Sequence, residues 1–108
     1  MRVAPSSLFR TLADPTRLAL FERLAAGDEL SVTELTRRAK VSQPAVSQHL
    51  AALRVAGLVR ERKAGRHVLY RARANGLKPV VDWINHYSSF WRDRFDALER
   101  ELESTNHE

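Results

Sequence analysis

The apolar residues of this chain change their spacing twice, and nothing else in the sequence restricts the fold as much. Up to Gly57 they recur at helical intervals, between Leu58 and Arg71 the pattern alternates, and from Leu77 to Leu102 helical spacing returns. A helix buries a stripe of period 3.6 and a strand buries a face of period 2. The expected architecture is therefore mainly α with one small β-hairpin, in the order α-α-α-α-β-β-α. A length of 108 residues supports one core, so we place a single domain at 1–103, with 77–103 as its C-terminal helical region and 104–108 as a frayed tail.

Start and stop signals divide the first half. Leu8, Phe9 and Leu12, following Pro5, form a short amphipathic helix. Asp14-Pro15 opens a second one, because the Asp14 side chain caps free amides and Pro15 stands where no amide is needed. That helix carries Leu18, Leu20, Phe21 and Leu24 and stops at Gly27. Ser31-Val32-Thr33-Glu34 is a capping-box pattern, starting a third helix with Leu35 and Ala39 inward. After a tight turn at Lys40-Val41, Ser42 caps a fourth helix with Pro44 in its first turn. Val46, Leu50 and Leu53 at i, i+4 and i+7 give it one buried stripe, and Gly57 closes it. Its complementary face carries Gln43, Ser47, Gln48, Ala51 and Arg54 and holds no acid. The alternating stretch is a hairpin with its turn at Ala64-Gly65, and this weak turn signal points to a longer, mobile loop. Asn75-Gly76 breaks the chain before the last helix, which begins near Leu77 to Pro79.

The net charge of +5 is unevenly spread. Residues 40–78 hold nine basic side chains against one acid, Glu61, whereas residues 79–108 hold three bases and seven acids. An excess of positive charge confined to the middle third of the chain points to a polyanion on that side, and double-stranded DNA is the expected partner. Ser42 is placed as both cap and phosphate anchor at a helix N-terminus. Gln43, Ser47 and Gln48 are placed as base readers, since a glutamine amide pairs with adenine through two hydrogen bonds and a serine hydroxyl is permissive. His49 and Arg54 on the same helix, Thr33 and Lys40 beside the turn, and Lys63 and Arg66 at the hairpin tip complete the expected DNA-contacting set.

Other chemistries lack their residues. There is no cysteine, hence no disulfide and no thiolate metal site. Asp82 and His86 lie at i, i+4, but two ligands without a third read as a surface pair. No Gly-rich phosphate loop and no pair of carboxylates in an apolar setting occurs, so we expect no catalytic residues, no cofactor, no metal site and no enzyme. No apolar run is long enough to span a bilayer, and the first residues lack a leader's apolar stretch, which reads as a cytoplasmic protein without a membrane partner.

The last helix is unusual in its exposed apolar side chains. Ile84, Tyr87, Trp91, Phe95, Leu98 and Leu102 form a heptad-like seam with one stutter, and Trp83 and Phe90 widen it. No later element covers this stripe, so a second copy of the chain is expected to bury it together with Leu8, Phe9 and Leu12 of the first helix. Ser88-Ser89 marks a candidate bend.

Two helices joined by a tight turn and followed by a basic hairpin have the order of a winged helix-turn-helix. Leu12-Ala-Asp-Pro-Thr-Arg-Leu18, Glu29-Leu-Ser-Val-Thr-Glu-Leu35, Val41-Ser-Gln-Pro-Ala-Val-Ser-Gln-His-Leu50, Leu53-Arg-Val-Ala-Gly-Leu-Val59 and Arg62-Lys-Ala-Gly-Arg66 together resemble the ArsR family of bacterial repressors. The match covers roughly residues 8–73. The resemblance implies a homodimer paired through its first and last helices, with the fourth helix in the major groove of an inverted-repeat operator. Metal-sensing members carry Cys-Val-Cys at the start of the third helix, where this chain has Ser31-Val32-Thr33. The Asp-x-His pair of other members is also missing, because Ile84 stands two residues after Asp82. The resemblance is thus to a cysteine-free branch with no assigned effector. Two further readings stay open: a ligand- or metal-responsive derepressor with its effector pocket at the dimer seam, and a winged-helix module that docks protein.

Overall fold

Of the first four helices, the second, third and fourth begin at a residue whose side chain accepts a free backbone amide, and the first does not. In the computed structural model, which describes residues 3–106, α1 (Pro5–Leu12) is followed by α2 (Pro15–Ala25), where the Asp14 carboxylate accepts the Arg17 backbone amide at 3.0 Å. Helix α3 (Val32–Arg37) opens on a complete capping box: Ser31 Oγ accepts from the Glu34 amide and the Glu34 carboxylate accepts from the Ser31 amide, both at 3.1 Å. Helix α4 (Gln43–Val55) has Ser42 as its cap, with Oγ accepting the Ala45 amide at 3.3 Å. Arg23 of α2 donates to the carbonyls of Glu34 and Leu35, satisfying α3 at its other end.

These helices close on one core. Leu8 of α1, Leu24 of α2, Leu35 of α3, and Val46, Leu50 and Leu53 of α4 are buried, with Leu58 and Val59 sealing the bottom of the hairpin. Truncating one such leucine to alanine costs about 2–5 kcal/mol. Leu18, expected in this stripe, is instead 38% exposed, and Ala39 falls beyond the end of α3 and is half-buried.

The hairpin consists of β2 (Val59–Ala64) and β3 (His67–Ala72), paired from Val59↔Ala72 to Ala64↔His67. Its turn is therefore Gly65-Arg66, one residue later than the sequence predicts, and it is short. Gly65 at φ +63 stands at the first central position, where a two-residue turn of the II′ kind needs a glycine. A third strand, β1 (Leu30–Ser31), pairs with the outer edge of β3 through Leu30↔Tyr70, giving the order β1-β3-β2. Two residues are too few to show a period, so this strand leaves no mark in the sequence pattern.

The corner between α4 and the hairpin is built from close backbone contact. Gly57 turns the chain at φ +78, and a Cβ placed on Gly76 would lie 2.4 Å from the Gly57 carbonyl oxygen. The Arg73 amide donates to the Leu58 carbonyl at 2.9 Å, so both legs of the hairpin are fixed at their base.

Helix α5 (Lys78–Asn106) runs unbroken for 29 residues, about 43 Å at 1.5 Å per residue. It dominates the 67 Å long axis of the molecule. Ser88-Ser89 does not break it, and the Ser88 hydroxyl donates to the Asn85 carbonyl within the helix at 3.0 Å. Order also continues past Ser104, where a frayed tail was expected, up to Asn106, while His107 and Glu108 lie outside the described residues. Among the described residues, no helix is long and apolar enough to cross a membrane.

Candidate nucleic-acid interface

Burial of Val46, Leu50 and Leu53 fixes the rotation of α4 and turns its other side outward. Gln43, Ser47, Gln48, Ala51 and Arg54 are all exposed, as are Ser42 at the cap, Lys40 in the preceding turn and Thr33 on α3. Lys63 in β2 and Arg66 in the turn are exposed at the far end of the hairpin. Gln43, Ser47 and Gln48 are open to solvent on this side of α4.

Not all of the expected set is equally free. Arg54 Nη1 lies 2.6 Å from Glu61 Oε1, tying the last turn of α4 to β2. His49 is half-buried, and its Nδ1 accepts a hydrogen bond from Arg17 Nε at 3.4 Å, so this ring leans on α2. Arg17 also donates to the Thr11 carbonyl at 3.3 Å, placing His49 in a network that joins α1, α2 and α4. Arg62 forms a forked pair with Glu29, with Nε at 2.9 Å from one carboxylate oxygen and an Nη on the other. That guanidinium holds the Glu29 carboxyl below the usual carboxylate range, and Glu29 in turn raises Arg62. Burial pushes the Tyr70 phenol up, and its hydrogen bond to Glu61 adds to the rise.

The side chains singled out on α1 and α5 divide in two. Leu8 is fully buried within the protomer, so it has no surface left for a partner, contrary to its expected place in a dimer interface. Leu12 is half-buried against the same core. Phe9 remains 46% exposed and meets Trp83 edge to face at 5.7 Å between ring centroids. Trp83, Ile84, Tyr87, Phe90, Trp91, Phe95 and Leu98 are all exposed, at 40–60%, along one helix. Asp82 takes Lys78 Nζ at 2.7 Å and the His86 ring packs on Tyr87, so the two residues engage different neighbours. Among the described residues, no three potential metal ligands come together.

Residues 12–62 match the family model described as a helix-turn-helix domain. The chain is 49% identical over 74 residues to the HTH-type transcriptional regulator Rv2034 of Mycobacterium tuberculosis, covering 68% of each protein. It is 44% identical over 84 residues to the arsenic resistance transcriptional regulator ArsR1 of Pseudomonas putida, covering 77% of this chain but 62% of that relative's length. Among solved structures, an ArsR-like transcriptional regulator from Rhodococcus sp. RHA1 superposes with a TM-score of 0.71 at 31% identity, over 89% of this chain and 90% of the other. This chain belongs to the ArsR family. As an ArsR-family protein it is a winged helix-turn-helix transcriptional regulator, with α3 and α4 as the helix-turn-helix and β2–β3 as the wing. The names of these relatives are those of regulators, not enzymes.

Few of the side chains that hold this ArsR-type surface together are legible in the sequence. Arg17–His49 and Glu29–Arg62 join residues 32 and 33 positions apart, and no local pattern announces such pairs. For Glu61 a signal existed: it is the single acid in a basic third of the chain.

Proposed function

We propose that this chain is a homodimeric repressor whose α4 enters the major groove at each half of an inverted-repeat operator. In this reading Gln43, Ser47 and Gln48 read base edges, and Ser42 at the N-terminus of α4 anchors a phosphate. Lys40 and Thr33 flank that contact, and Lys63 and Arg66 carry the wing tip onto the neighbouring backbone. The observation that carries the reading is the sidedness of α4: one stripe is wholly buried, and the exposed side, which carries Gln43, Ser47, Gln48 and Arg54 together with the apolar Val55, is open and without a carboxylate of its own. Arg54 and His49 belong to this face less directly, since each is engaged by another side chain. The dimer is proposed from the exposed aromatic face of α5 and Phe9 of α1. The working place of such a repressor is the cytoplasm.

The arsenical names of some relatives need not extend to this chain's effector. At the start of α3 the Ser31 hydroxyl is used as a helix cap, and Ser31-Val32-Thr33 offers no thiolate for a soft metal. We therefore place the chain in a branch that does not sense thiophilic metals through α3.

Selection of bound duplexes from a random pool by the purified protein tests the central claim. It should enrich an inverted repeat with half-sites about one helical turn apart. Gln48→Ala should then lose roughly 10- to 100-fold in affinity for the enriched duplex, and much less for unrelated DNA. Enrichment of no sequence, or unchanged affinity in both Gln48→Ala and Ser47→Ala, would refute the assignment of α4 as the reading helix.

A further inference from the structure

Glu61 stands alone among nine bases between Lys40 and Lys78, and its carboxylate is used twice. Oε1 holds Arg54 Nη1 at 2.6 Å, and Oε2 accepts the Tyr70 hydroxyl at 3.1 Å. Glu61 and Tyr70 are direct cross-strand partners, and Tyr70 packs against the hydrophobic core. Arg54 precedes the corner at Gly57 and Glu61 follows it, so the carboxylate braces the recognition helix against the wing across that corner. Alternate strand residues share a face, which puts Lys63 on the same side as Glu61, about 7 Å nearer the tip.

Building on the DNA reading above, we propose that Glu61 is a positioning residue for operator recognition. By clamping Arg54 to Tyr70 it sets the angle at which Lys63 and Arg66 meet the backbone while α4 reads the bases. Electrostatics alone predicts the reverse. A carboxylate beside a polyanion is repulsive, and it also occupies an arginine that a phosphate would attract. If Glu61 were a bystander, removing it would tighten every DNA complex. If it is a brace, removing it weakens the complex that depends on geometry and spares the one that does not.

The experiment compares full-length wild type, Glu61→Gln and Tyr70→Phe on two probes: the duplex enriched by the wild-type protein and a scrambled duplex of the same composition, each titrated across salt. Glu61→Gln should bind the enriched duplex about tenfold more weakly, with a salt slope shallower by about one. It should bind the scrambled duplex at least as well as wild type does. Lys63→Ala should cost less affinity in the Glu61→Gln background than in wild type, a coupling that a purely structural role does not produce. Should Glu61→Gln fail to fold, Tyr70→Phe, which keeps the ring in the core, must show the same selective loss to a smaller degree. Equal or tighter binding of the enriched duplex, equal losses on both duplexes, or additive costs of Lys63→Ala and Glu61→Gln would overturn the proposal while leaving the DNA reading intact. A wild-type protein with no salt-dependent duplex binding fails the DNA reading itself, and this inference with it.

Discussion

A methyl group added at position 76 has nowhere to go. It would sit 2.4 Å from the Gly57 carbonyl oxygen and 3.1 Å from Leu58 Cα, both backbone atoms that cannot swing aside. Gly76→Ala must therefore push the chain leading into α5 away from the corner of the wing, and we expect a loss of about 1–3 kcal/mol in urea unfolding. Gly65 presents the opposite case. A Cβ there meets nothing within 4 Å, and only its φ of +63 resists substitution, so Gly65→Ala should cost about 1 kcal/mol. A larger loss at position 65 than at position 76 would mean that the close approach of the two glycine corners does not exist in solution. Nothing in the Asn75-Gly76 pair alone separates these causes, since a sequence marks a turn without saying what the turn touches.

Helix caps are local, and that is why they were legible. Ser31 with Glu34, Asp14 with Pro15 and Ser42 with Pro44 lie within one turn of the bonds they make, and each starts a helix where expected. The buried stripe of α4 was legible for the same reason, and with it the exposed Gln43, Ser47 and Gln48. The turn lies one residue beyond Ala64-Gly65 because Ala64 still pairs with His67 as the last residue of β2, which leaves the glycine at the first central position. Contacts across the fold, such as Arg17 on His49 and Arg62 on Glu29, carry no period and had to be seen. The caps also make a prediction about acid. The backbone amide of Arg17 lowers the Asp14 carboxyl, and hydrogen bonds from Ser31 lower Glu34. A carboxyl lowered in the folded state contributes stability above its unfolded value and loses it as pH falls through the folded one. Stability should thus be level near neutrality and decline once pH passes below the ordinary values of 4.5 for Glu34 and 3.8 for Asp14. Glu34→Gln with Asp14→Asn keeps acceptors at both caps and removes their titration. Melting temperatures between pH 3 and 6 (a range chosen around ordinary carboxylate values) should fall less steeply in that double variant. An identical acid slope would show that these caps do not govern it.

The proposed dimer rests on the aromatic surface that one helix of the protomer leaves exposed. Trp91 and Phe95 stack at 6.3 Å and Phe90 meets Trp91 edge-on at 5.2 Å, so the distal rings of α5 pack mainly on one another. Nearer the domain, Phe9 of α1 buttresses Trp83, and Leu8 anchors α1 in the core. A second copy laid on this face would inherit a fixed relation to both α4 helices, which is what an operator with two half-sites requires. Monomeric proteins seldom expose contiguous apolar patches beyond a few hundred Å². Trp91→Glu places a charge in the middle of the seam without touching the core of the winged helix. The wild type should sediment as a dimer, with a melting temperature that rises with protein concentration. The variant should sediment as a monomer, lose that concentration dependence and keep its helical content. Its affinity for a two-half-site duplex should fall by about a hundredfold, since the second half-site is no longer held at high effective concentration. Binding to a single half-site should change little, because α4 and the wing of each protomer stay intact. A variant that remains dimeric at wild-type affinity, or a wild type that is monomeric at tens of micromolar (about the range in which weak dimers form), would remove α5 from the interface and leave its exposed rings to another partner.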